Sequence, residues 1–194
     1  MIDFPQLVAR FNDHLDHAAR EGVFEPTAFS LATVGPDGRP SVRIVLLKAV
    51  DQRGFVFYTN TRSRKGRELA SAGRAAMVFW WGPIYRQVRI EGRVEPVSAA
   101  EADAYFATRS RGSQIGAWAS NQSSVLPSRE ALLAAVKDVE AKYGAGLVPR
   151  PPYWSGYRVS PDVMEFWYGM DDRLHERLEY RLEGNTWVER ILSP

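Results

Sequence analysis

The chain of 194 residues has no cysteine. That excludes disulfides, thiolate nucleophiles, iron–sulfur ligation and thiolate zinc motifs, and makes a reducing compartment, the cytoplasm, the expected location. Histidine is scarce too, with three in all. His14 and His17 in HLDH have a loosely metal-like spacing, but no further His or Cys lies near them in sequence, so no metal is expected. No apolar run approaches the length of a membrane span. The opening MIDFPQLVARFNDHLDHAAREG carries acids where a signal peptide would carry a basic and then an apolar stretch, so neither a membrane partner nor a targeting segment is expected. Charge of one sign is also lacking, because 25 Lys and Arg face 23 Asp and Glu for a net of +2. Overall balance therefore gives no reason to expect nucleic acid. GxSxG, Walker A and GxGxxG motifs are all missing.

What is present describes an ordinary globular chain. Hydrophobic residues make up 45% and charged residues 25%, enough apolar material at this length for one domain over residues 1–194 with a real core. Phe4, Leu7, Val8, Phe11 and Leu15 follow the i, i+3, i+4, i+7 rule, so residues 1–22 are expected to contain an amphipathic helix docked on that core. AFSLATV, the turn GPDG, SVRIVLLKAV (Ser41 to Val50), the turn DQRG and FVFYTN read as strands in tight hairpins. RSRKGRELASAG predicts a short helix stopped by Gly73, after which AAMVFWW and YRQVRIEGRVEPV resume the β pattern. Ser98-Ala-Ala-Glu101 is a capping box that opens a helix to about Ala107, and PSREALLAAVKDVEAKYG predicts another. YWSGYRVS, VMEFWYG and a hairpin around EGN complete the chain. Strands interrupted by single helices, without βαβ alternation, imply a mainly β fold with helical additions (α+β), an antiparallel barrel.

Against this regular background RSRGSQIGAWASNQSS (Arg109 to Ser124) is anomalous. It keeps neither a helical period nor a strand's alternation, and crowds arginines, hydroxyls and amides around Gly and Trp. TRSRKGR sets cations and hydroxyls at a helix start, where backbone N–H groups point outward. It suits a phosphate, or is a solvated basic face. Arg43 and Lys48 are five apart in RIVLLK, so they face opposite sides unless a bulge or strand end intervenes. In DDRLHERLEY, residues Arg173, His175 and Arg177 share one face if the segment is extended. That could make an anion site with a titratable group, or an exposed strand paired to Asp171, Asp172 and Glu176. With no nucleophile in view, such donors together with Trp118, Trp167 and Tyr58 as flat apolar walls suit a phosphorylated aromatic cofactor that carries the difficult chemistry itself.

RIVLLK, FYTNTRSRKGRE, RQVRIEG, YFATRSRGSQIGAWASNQSS and EFWYGMDDRLHER, in this order and spacing, closely resemble the pyridoxamine/pyridoxine 5′-phosphate oxidase family over about residues 26–194. The resemblance implies an antiparallel split β-barrel homodimer with FMN at the subunit interface. Carried over by position, FMN would be held by Arg43, Ile44, Val45, Leu46, Leu47 and Lys48, by Tyr58 and Thr59, by Arg64 and Lys65, and by Gln87, Gln122, Ser123, Trp167 and Arg177. The phosphorylated pyridine substrate would fall to Lys48, Tyr105, Arg109 and Ser113. Arg173 and His175 would act at its reacting carbon, within a substrate-contacting C-terminal hairpin at 171–194. The implied reaction oxidises pyridoxamine or pyridoxine 5′-phosphate with O₂ to pyridoxal 5′-phosphate and hydrogen peroxide.

Two features depart from that pattern. RLHER stands where the family usually has RLHDR, and an Arg-x-x-Tyr substrate-contacting element of the longer family N-terminus has no counterpart. Flavin oxidases of phenazine biosynthesis share the barrel and can carry HER, so an oxidase of a different aromatic substrate is the second reading. Lys48 and the RGSQIGAW block, which would grip a substrate phosphate, speak for the first. A non-catalytic flavin- or heme-binding barrel is the third, and it would not need Lys48, Tyr105, Arg109, Ser113, Arg173 and His175 together.

Overall fold

A computed structural model describes residues 2–194. The amphipathic opening forms α1 (Phe4–Arg20), started by Asp3, whose carboxylate accepts from the Gln6 backbone N–H in a capping box. Its apolar stripe sends Leu7 and Phe11, both fully buried, into the core, where the Phe11 ring meets Phe55 and Phe79 edge-on at 5.0 Å. Edge-to-face packing of this kind adds to the area term, and Phe11→Ala is expected to cost about 3–5 kcal/mol.

The strands are β1 (Ala28–Val34), β2 (Pro40–Leu46), β3 (Ala49–Asp51), β4 (Gly54–Asn60), β5 (Arg74–Trp81), β6 (Arg86–Pro96), β7 (Trp154–Tyr168), β8 (Glu176–Glu183) and β9 (Thr186–Ile191). All pair antiparallel in the order β2-β1-β5-β6-β7-β4-β3, with β8 against β7 and β9 against β8. The curled sheet is the expected antiparallel split barrel, mainly β with helical additions. Its inner face is aromatic, with Phe29, Phe57, Phe79, Trp81 and Phe166 nearly inaccessible.

Two strand expectations need correction. SVRIVLLKAV is not one strand: β2 stops at Leu46 and β3 starts at Ala49, because Leu47 leaves the β1 ladder to donate to the Thr27 carbonyl, and Lys48 donates to the Val56 carbonyl on β4. Conversely, YWSGYRVS and VMEFWYG form the single strand β7. Pro161 is accommodated where the β6 register shifts at Glu91/Gly92, so Asp162 is the extra residue of a bulge. The first half of β7 pairs with β4 and the second with β8.

The helices α2 (Arg64–Ala72), α3 (Ala99–Thr108), α4 (Arg111–Ala119) and α5 (Arg129–Tyr143) fill the connections. Gly73 ends α2 in the left-handed region at φ 63°, as its position suggested. The stretch with no sequence period folds in part as α4. Its Ser110 cap accepts from the Ser113 N–H, and its Arg111 side chain bonds the Gly144 and Gly146 carbonyls at the end of α5. A second apolar cluster of Phe106, Ile115, Val148 and Trp154 fastens these helices to the barrel.

Candidate functional site

The strand end at Leu46 has a direct consequence. Arg43 on β2 and Lys48 beyond it, which would face apart in an unbroken strand, both line one cavity of about 480 Å³. Ile44, Val45 and Leu46 supply the wall between them, whereas Leu47 turns into the core and is 4% exposed. Tyr58 and Thr59 enter from β4 and Lys65 from the first turn of α2. Tyr105 comes from α3, Arg109 from the α3–α4 junction, Ser113 from α4 and Gln122 from the loop beyond it. The odd segment and the basic loop are thus two sides of one pocket.

Its donors are unevenly satisfied. Lys65 Nζ reaches Thr59 Oγ1 and Gln122 Oε1, each at 3.2 Å, and burial followed by the nearby Arg43 charge lowers its pKa. Arg109 is half-buried, with burial lowering its pKa, and its Nη1 atom has no hydrogen-bond partner among the described residues. Its guanidinium lies over the Trp154 ring at 4.7 Å, and Tyr58, Tyr105 and Trp154 stack within 11° of parallel. Trp154 was missed in the sequence because nothing local separates it from a core aromatic.

Arg64 lies off the cavity lining and is held by Glu68, which sequence reasoning also missed, although Arg64 and Glu68 are a helical i, i+4 pair. Glu68 is 5% exposed. Burial alone would raise its pKa, but hydrogen bonds from Thr33, Ser41 and Arg64 outweigh that and bring it to about 2. Ser123 is exposed at φ 71° and does not line the cavity. Trp118, expected as a ligand wall, does not line it either: its Nε1 donates to the Pro149 carbonyl at 2.7 Å and its ring packs on Tyr143 and Tyr153.

The remaining predicted residues gather elsewhere. Trp167, Arg173 and His175 line a separate depression, and Gln87 pairs with Trp167 across β6 and β7. Arg173, His175 and Arg177 do not share a strand face. A short 3₁₀ turn covers Asp171–Arg173, Asp172 and Arg173 have φ of 53° and 62°, and β8 begins only at Glu176. Arg177 pairs with none of the neighbouring acids proposed from the sequence. It grips the buried Glu165 through Nε at 2.8 Å and Nη2 at 3.2 Å. The His175 ring packs on Trp167 at 4.5 Å, tilted by 46°, and its Nδ1 accepts the Met170 backbone N–H at 3.1 Å.

A family described as pyridoxamine 5′-phosphate oxidase matches residues 15–143, and one described as the pyridoxine 5′-phosphate oxidase C-terminal dimerisation region matches residues 154–194. The chain belongs to the pyridoxine/pyridoxamine 5′-phosphate oxidase family. Oxidases of that name from Myxococcus xanthus (strain DK1622) and Thermosynechococcus vestitus are 54% and 56% identical to it. The alignments cover 98% and 96% of this chain and 92% and 88% of theirs. A solved structure of PhzG from Burkholderia lata 383, in complex with tetrahydrophenazine-1-carboxylic acid, is 40% identical with a TM-score of 0.89, covering 97% of this chain and 91% of that one. A pyridoxamine 5′-phosphate oxidase-related, FMN-binding protein from Nostoc punctiforme shares the fold at 17% identity and a TM-score of 0.75.

No helix among the described residues is long and apolar enough to cross a membrane.

Proposed function

We propose that this chain is an FMN-dependent oxidase of pyridoxamine and pyridoxine 5′-phosphates, working in the cytoplasm as a homodimer and built as one domain over residues 1–194. The observation that carries the reading is the buried, unpartnered Nη1 of Arg109 in a cavity that also holds Arg43, Lys48 and Lys65. Four cations around one cavity, one of them with an unfilled donor, want an anion with several acceptor oxygens, as a phosphate has. The residues fit two phosphorylated ligands. Arg43, Arg64 and Lys65 serve the FMN phosphate, with Ile44 to Lys48, Tyr58, Thr59, Gln122 and Ser123 along its length. Lys48, Tyr105, Arg109 and Ser113 serve the substrate phosphate.

When bound, FMN would supply the hydride acceptor for oxidation at the substrate's C4′ carbon and the route for the electrons to O₂; pyridoxine 5′-phosphate would yield pyridoxal 5′-phosphate and hydrogen peroxide, and pyridoxamine 5′-phosphate would in addition take up water and release ammonia. The protein's part is orientation and charge stabilisation. Gln87, Trp167, Arg173, His175 and Arg177 lie outside the cavity lining, and the dimerisation-region match at 154–194 covers four of them. In this reading a second copy brings them over the flavin, which then sits at the subunit interface. Arg173 and His175 orient the substrate amine or alcohol. Because His175 Nδ1 accepts a backbone N–H, the neutral ring carries its proton on Nε2, where it can donate to the substrate.

The likeness to PhzG keeps a phenazine-type oxidase as the second reading. Lys48 and Arg109 on the cavity wall favour a phosphorylated substrate. Anaerobic mixing of the FMN-loaded protein with pyridoxamine 5′-phosphate tests the choice. Bleaching of the flavin's visible absorbance, reversed by air with pyridoxal phosphate formed, is expected. A flavin that stays oxidised would favour the phenazine-type reading, and failure to bind FMN would overturn both.

A further inference from the structure

Glu68 is out of place by simple electrostatics. It is a buried carboxylate beside a site for an anion, and burying an ion is expensive unless its lone pairs are filled. Here they are filled from three elements. Oε2 accepts from Thr33 Oγ1 on β1 at 2.5 Å, and from Ser41 Oγ at 2.7 Å and Arg43 Nη2 at 3.3 Å on β2. Oε1 accepts from Arg64 Nε on α2 at 2.7 Å. Arg43 is further tied through Nη1 to the Leu31 carbonyl at 3.1 Å and to Thr33. Among the described residues Arg64 has no such second anchor, and its side chain is 56% exposed, so Glu68 is what restrains it there.

We propose that Glu68 is a positioning residue for the flavin phosphate, fixing Arg43 and Arg64 in the orientation that receives it. The inference rests on the FMN reading above. Two arginines and a lysine packed without a counter-charge would repel one another and splay into solvent. With Glu68 between them, Arg43, Arg64 and Lys65 leave two net positive charges, matching a phosphomonoester dianion. The side-chain entropy of both arginines is lost at folding and not at binding.

A neutral amide cannot replace the carboxylate. The Thr33 and Ser41 hydroxyls can rotate to accept, but a guanidinium only donates. Glu68→Gln therefore sets its N–H₂ against either Arg43 or Arg64 and releases one of them. Glu68→Asp keeps the charge but shortens the reach, so it cannot span both arginines.

The test is flavin-fluorescence titration of the full-length, flavin-stripped protein with FMN and with riboflavin, which lacks the phosphate. Wild type is expected to prefer FMN strongly, and no preference would overturn the phosphate assignment and this inference with it. Given that preference, Glu68→Gln is expected to weaken FMN by about tenfold and leave riboflavin unchanged. Glu68→Asp should show a smaller loss of the same selectivity. Equal losses for the two ligands would make Glu68 a packing residue only, and no loss for either would show that the arginines hold themselves. If Glu68→Gln does not fold, Glu68→Asp decides by the same FMN-to-riboflavin ratio.

Discussion

The Arg109 guanidinium lies 4.7 Å from the centre of the Trp154 ring, and its Nη1 is buried without a hydrogen-bond partner. A cation in that state rests between the Phe106 and Trp154 rings with one donor unfilled, which favours an anion brought to the guanidinium. Arg109→Ala is expected to raise KM for pyridoxamine 5′-phosphate by about 10²-fold with a small change in kcat, since the lost contact serves the bound and reacting states alike. Steady-state kinetics over a wide substrate range will read this. A fall in kcat at unchanged KM would move Arg109 to the reacting end.

The two groups of site residues predict separable failures. Arg173→Ala should leave FMN bound and slow turnover, whereas Arg64→Ala should let FMN dissociate during gel filtration while excess FMN restores the rate. An exchange of these phenotypes would mean that the cofactor and substrate roles had been reversed.

His14 offers a pH signature away from the site. Burial, followed by the charges of Arg10 and Arg86, lowers its pKa from 6.5 to about 4. Its Nε2 lies 3.1 Å from the Tyr168 hydroxyl. Between those two values the unfolded chain takes up a proton that the folded chain refuses, so stability declines as pH falls from about 6.5 to about 4. Thermal melts should show a gentler decline over this window in His14→Gln than in wild type. Parallel curves would remove His14 from the account.

Gly66, in the first turn of α2, has no room for a side chain. A Cβ there would lie 2.3 Å from the Thr61 carbonyl oxygen, which is backbone and cannot swing aside. Gly66→Ala should destabilise the fold by about 1–3 kcal/mol, visible as a lower Tm, and weaken FMN because Lys65 shifts with the turn. An unchanged Tm would show that the loop yields freely.

Much of this was legible in the chain. The α1 stripe of Leu7 and Phe11, the Gly73 stop and the Ser98 capping box all act through neighbours within a turn, and local spacing records them. Arg64 and Glu68, four residues apart, could have been read the same way. The α4 helix could not, because Arg111 to Ala119 owes its stability to Ile115 packing on Phe106 and Trp154 and to Arg111 bonding α5, contacts that no local period displays.

By itself the sequence determined the mainly β class, the hairpin positions, the absence of thiol chemistry and, through five blocks in order, the family. Tertiary structure alone decided that β2 ends at Leu46, so that Arg43 and Lys48 share a cavity, that Asp162 bulges to let β7 run through Pro161, and that Arg177 is gripped by Glu165. The physical reason is range. Periodicity and capping are set by residues a few positions apart, whereas strand ends, bulges and buried ion pairs are settled by which distant partner satisfies a backbone group or a charge once water is excluded.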